Sequence, residues 1–317
     1  MSTPTPLDGW LLDVVAEVDK SAPGFAGHVL RASNERRHVI AAYFAQIKNV
    51  DAQDATIGQY LMTARHSDIL QSGFGEVHTG FRSALRRVTP TAHSQSFYLN
   101  LFRLFRGPAY GADRRAIVDM QNIDLTKLRI LKSLPKDFRC SNLVMALQSE
   151  DEAKAFVELI GLFEVEGLDR CEMALAASRI RTKTGVAKFA ERWSRKLALP
   201  PHPVPETDFY QPVSHARDLA RIAIRRRNCL RSKIVESLEG RLAIAEVKVL
   251  GEDAVVALVK RRDAWMLDDV YGHRNAAPSR PLVALVIQHL ELHGIPVRPP
   301  ASRDEAKWRS LSLLLEK

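Results

Sequence analysis

The residues best suited to chemistry in this chain are arginines and lysines in two dense runs. Arg179 to Lys196 carries seven Lys or Arg against Glu191 alone, a charge of +6, and Arg217 to Lys233 repeats the figure against Asp218. Together they exceed the net charge of the whole chain, +9, so the remainder is slightly acidic and the basicity is focused. Arg217, Arg221 and Arg225 are four apart, which on a helix stacks them along one face while Leu219, Ile222 and Ala223 turn inward. Arg226 and Arg227 widen that stripe, and Arg231 and Lys233 continue it. In the first run Arg179, Arg181, Lys183, Lys188, Arg192 and Lys196 are interleaved with Phe189 and Trp193. Guanidinium forks make paired bonds to phosphate oxygens, and each neutralised phosphate releases counterions. These thirteen cations are therefore the expected phosphate contacts. Phe189 and Trp193, four apart, fit the apolar anchor of a helix better than a base-stacking pair.

A second constellation surrounds Cys229 in Asn228-Cys229-Leu230, directly after the arginine stripe. Cationic neighbours lower a thiol pKa and favour the nucleophilic thiolate. His215, His202, His273 and Asn275 are the candidate partners for a Cys-His-Asn arrangement, although no local signature of such enzymes surrounds the cysteine. The plainer expectation is a small buried cysteine packing a helix against a sheet. Tyr271-Gly272-His273-Arg274-Asn275 reads as a strand-to-helix turn. Asp268 and Asp269 are adjacent, so on a strand they face opposite ways, and no metal or cofactor is expected. Gly-rich phosphate loops, His-Glu-x-x-His and Gly-x-Ser-x-Gly are absent, as is a His-x-Glu with a later Cys-x-x-Cys.

The elements that position these residues follow from periodicity. Trp10, Leu11, Leu12, Val14, Val15 and Val18 recur at helical spacing, and Asn34 opens a run through Phe44. Ile57, Leu61 and Met62, opened by Asp54, form another stripe. Phe97, Leu99, Leu101, Phe102 and Phe105 make an aromatic cluster that reads as core, lacking the strand alternation of a stacking platform. Glu150 to Phe163 and Leu168 to Ile180 are two further helices joined at Glu166-Gly167. Five prolines between Pro200 and Pro212 then predict a semi-rigid linker. Beyond it come a helix from His215 to Arg227 and strands at Leu242 to Val249, Ala254 to Val259 and Asp263 to Asp269. A helix follows from Pro281 towards Gly294, and an amphipathic one from Arg303 to Leu315. The expected fold is an α-rich domain (1–199), a linker (200–213) and a smaller α+β domain (214–317) with an antiparallel three-stranded sheet.

No apolar run approaches membrane-spanning length, and the start shows no charged region followed by an apolar one. Cys140, Cys171 and Cys229 are odd in number and far apart, which disfavours a disulfide framework and fits a reducing, cytoplasmic setting.

From Ser214 to Leu292 the order of features resembles the PcfJ-like proteins of conjugative plasmids and other mobile elements. A helix runs into Asn228-Cys229-Leu230, Gly240 precedes the first strand, Trp265 lies in the third, and Gly272-x-x-Asn275 precedes a helix. The family often has His before the cysteine and an aromatic four residues after it, where this chain has Asn228 and Lys233. The resemblance implies bacterial mobile-element biology and no particular reaction. The sequence therefore predicts a DNA- or RNA-associated accessory protein of a mobile-element or defence system, with protein partners in a larger assembly. A cysteine-dependent enzyme and a scaffold for an acidic protein are the alternatives.

Overall fold

The computed structural model describes residues 9–47, 55–106, 111–249 and 251–296. Asp54 and the expected helix Arg303 to Leu315 lie outside them. The chain divides into two compact units, Met1–Phe189 and Ala190–Lys317, upstream of the proline-rich stretch.

The first unit is built from helices. At its centre lies Asn34–Gln46, where His38 through Ala45 are all buried. A helix apolar on every side must sit inside a core, and this one packs against His66–Phe74, Phe81–Arg86 and Gln95–Phe105. Ser33 caps it, its hydroxyl accepting the Arg36 backbone N–H. The aromatic cluster is core: Phe102 packs on Phe74 and Phe81 with ring centroids 4.3 and 5.3 Å apart. Glu150–Val165 is capped by Ser149, whose hydroxyl accepts from Glu152 N, while the Glu152 carboxylate accepts from Gln148 N. It ends at Gly167, whose φ of +81° allows the Leu168 N–H to reach back to Phe163 O. Arg170–Ala177 follows, and the next helix, Lys183–Ser194, runs through the boundary between Phe189 and Ala190.

The second unit is a four-stranded antiparallel sheet in the order β1-β2-β3-β4. The strands are β1 (Tyr210–Pro212), β2 (Leu242–Val249), β3 (Glu252–Arg261) and β4 (Ala264–Tyr271). Three strands are those expected; β1 is the correction. It comes from the proline-rich stretch, with Tyr210 opposite Val247 and Pro212 opposite Ala245. An edge strand tolerates proline because only one of its sides must supply ladder donors. The stretch is no free spacer, since Val204 and Tyr210 are buried in the unit's core. Leu199 N–H also bonds Ser214 O, and Ala216 N–H bonds Leu197 O.

Alternation along the strands gives the sheet two apolar faces. Ala245, Val247, Val256 and Leu258 pack with Leu282, Val286 and Leu290 of the helix Arg280–Leu292. Ile244, Val255 and Ala257 pack with Leu219, Ile222 and Ala223 of the helix Ala216–Arg226. That second contact fixes which arginines of the basic helix reach water.

Candidate nucleic-acid interface

Leu219, Ile222 and Ala223 are buried as expected, which leaves Arg217, Arg221 and Arg225 exposed. Their charge is largely answered within the unit. Arg221 donates to Asp218 at 3.0 Å and Arg217 lies 3.8 Å from the same carboxylate. Arg225 donates to Glu246 on β2.

Arg226 was expected on the phosphate-binding stripe and is not on it. It stands four residues after Ile222 and seven after Leu219, so helical geometry turns it to the sheet. Its side chain is 3% exposed and donates to Glu246 Oε1 at 3.1 Å and to Asp253 Oδ2 at 2.6 Å. A third bond reaches Asp253 O at 3.1 Å. This guanidinium ties the helix to β2 and β3, and a phosphate cannot reach it.

The later cations of this run are also paired. Arg231 Nε donates to Glu191 at 2.5 Å, and Arg195 donates to the same carboxylate at 2.7 Å. Burial alone would raise the Glu191 carboxyl, but the two arginines hold it below the ordinary range. Lys233 bonds Glu236 at 2.9 Å. Arg227 differs. It closes the basic helix in the left-handed region, φ 53°, is exposed and has no carboxylate partner among the described residues.

The first run keeps more of its charge. Arg179, Arg181, Lys188 and Arg192 are exposed and, among the described residues, have no carboxylate partner. Lys183 lies 3.5 Å from Glu152, and Lys196 Nζ sits 3.7 Å above the Trp193 ring. Lys188 and Arg192 are one turn apart on the helix Lys183–Ser194, whose neighbouring face buries Phe189 and Trp193. Those two aromatics are anchors of the helix.

Cys229 is exposed, so the expected packing role does not hold for it. The fold does bring it to Asn275, whose Nδ2 lies 4.0 Å from Sγ. Among the described residues no histidine completes the arrangement by hydrogen bond. His215 Nδ1 bonds Ser214 Oγ at 3.0 Å, His202 Nδ1 engages the Val204 backbone, and His273 is exposed in the turn. That turn needs Gly272, because a Cβ there would lie 2.9 Å from Ala276 O. Arg274 and Asn275 follow in the left-handed region. Among the described residues no three His, Cys, Asp or Glu side chains could hold a metal ion, and no helix is long and apolar enough to cross a membrane. Asp269 Oδ1 accepts the Val270 N–H.

Glu246 and Asp253 are the residues that sequence reasoning missed. Each is more than fifteen residues from the arginine it neutralises, and only the pairing of β2 and β3 against the basic helix brings them there. Comparison with protein-family models, curated proteins and solved structures finds no match.

Proposed function

We propose that this chain binds nucleic acid through the phosphate backbone, with Arg179, Arg181, Lys188 and Arg192 as principal contacts. One observation carries the reading: these four cations are exposed and unanswered by carboxylates among the described residues. In the other basic run nearly every cation is paired. A cation already bonded to a carboxylate must give up that bond to take a phosphate, so unpaired cations contribute more to a polyanion complex. A role as an accessory protein of a bacterial mobile-element or defence system is the setting that accompanies this reading.

The test is anisotropy of labelled oligonucleotides with the full chain at low salt. Lys188→Glu with Arg192→Glu lowers affinity at least tenfold, whereas Arg217→Ala with Arg221→Ala changes it less than threefold. A folded Lys188/Arg192 variant that binds like the parent sinks the proposal.

A further inference from the structure

We propose that the tip of the β3–β4 hairpin, Lys260-Arg261-Arg262 with Trp265, is a contact for single-stranded nucleic acid. This rests on the nucleic-acid reading above and adds to it a site in the second unit. The tip lies outside both basic runs of the sequence.

Three consecutive cations occupy the tip, and all are exposed. Among the described residues none has a carboxylate partner, in contrast to the arginines of the helix Ala216–Arg226. The acids nearby do not neutralise them. Glu239 is bonded to Arg241, and Asp263, the one acid of the turn, forms no ion pair among the described residues.

The turn itself is informative. Arg261 pairs with Ala264, so Arg262 and Asp263 form a two-residue loop. Arg262 has φ of +56°, a conformation that glycine or asparagine adopts with less strain. An arginine at a position where the backbone favours glycine puts a cation at the loop apex. Trp265 is the cross-strand partner of Lys260, whose Nζ lies 6.0 Å from the ring centroid. Partial burial against the core fixes the indole while leaving part of it open. Cations for the phosphates beside a fixed aromatic ring are the parts of a single-strand site, because any base can stack on a ring. A duplex hides its base faces, so the tryptophan selects the unpaired strand.

The experiment uses the full chain and a labelled poly-dT oligonucleotide, with a duplex of the same length for comparison. Arg262→Gly relaxes the strained φ, so Arg261→Ser with Arg262→Gly melts no lower than the parent while removing two cations. The expected result is at least a fivefold loss of poly-dT affinity. The slope of log affinity on log salt also falls by about 1.4, at about 0.7 per contact on single strands. Trp265→Phe abolishes most of the poly-dT-induced quenching of tryptophan emission. A hairpin variant that binds like the parent, while the Lys188/Arg192 variant does not, overturns this inference and leaves the broader reading intact. Weakened duplex binding with unchanged poly-dT binding overturns the single-strand assignment. Failure of the parent to bind either probe overturns both readings.

Discussion

Replacing Arg226 by methionine separates a structural arginine from a binding one. The substitution keeps an apolar stem and removes the guanidinium that bonds Glu246 at 3.1 Å and Asp253 at 2.6 Å. Removing one partner of a buried pair costs about 3–5 kcal/mol, because the other charge is left without compensation. Here Glu246, 16% exposed, keeps Arg225, and Asp253, 56% exposed, is rehydrated. The lower end of the range therefore applies, about 3 kcal/mol. Since about 1.4 kcal/mol is tenfold, globally exchanging amides of β2 and β3 should lose roughly a hundredfold in protection. Hydrogen exchange followed by mass spectrometry reads those strands directly and avoids treating two units as one two-state transition. Arg221→Met is the control. Its side chain is 76% exposed and its pairing with Asp218 is worth less than about 1 kcal/mol. Equal protection of β2 and β3 in the two variants would refute the assignment of Arg226 as an internal tie.

Two predictions concern the first unit. Burial lowers the His38 pKa from the ordinary 6.5 to about 4. The neutral ring donates from Nε2 to Thr89 O and accepts at Nδ1 from the Tyr98 hydroxyl, both at 2.9 Å. Unfolded chains take up the proton first, so stability is complete above pH 6.5 and falls by up to about 3 kcal/mol as pH drops to 4. His38→Gln flattens that part of the stability–pH curve in urea titrations; an unchanged curve contradicts the assignment. Gly58 lies where an added Cβ would stand 2.3 Å from Ala22 Cβ. Gly58→Ala therefore costs about 1–3 kcal/mol despite alanine's better helix propensity. Adding Ala22→Gly recovers most of the loss in thermal melts; no recovery would place the strain elsewhere.

Much of the architecture was legible because periodicity and local caps determine it. Val255, Val256, Leu258 and Val259 read as a strand, and Pro281 at a helix start marked the second unit's last described helix. The fourth strand was hidden because prolines on both sides of Tyr210-Gln211 look like a linker. Only the partner residues Ala245 to Val247 reveal an edge strand. The candidate interface was legible as a concentration of charge but not as a distribution of free charge. Arg226 could have been separated from Arg225 by counting from Leu219 and Ile222. The neutralisation of Arg225 by Glu246 depends on a helix-to-sheet contact between distant parts of the chain. The Cys229–Asn275 approach likewise depends on the turn after β4, where Gly272 admits the Ala276 carbonyl.

The salt dependence of nucleic-acid affinity tests the central claim most directly. Binding of a labelled duplex and of poly-dT, measured across a range of monovalent salt, should give log affinity falling linearly with log salt. Loss of Lys188 and Arg192 by substitution with glutamine should reduce the duplex slope by close to 1.8, at about 0.9 per phosphate contact. Arg217→Gln with Arg221→Gln should leave it nearly unchanged. A parent affinity independent of salt, or a slope that responds to Arg217 and Arg221 and not to Lys188 and Arg192, would contradict the account.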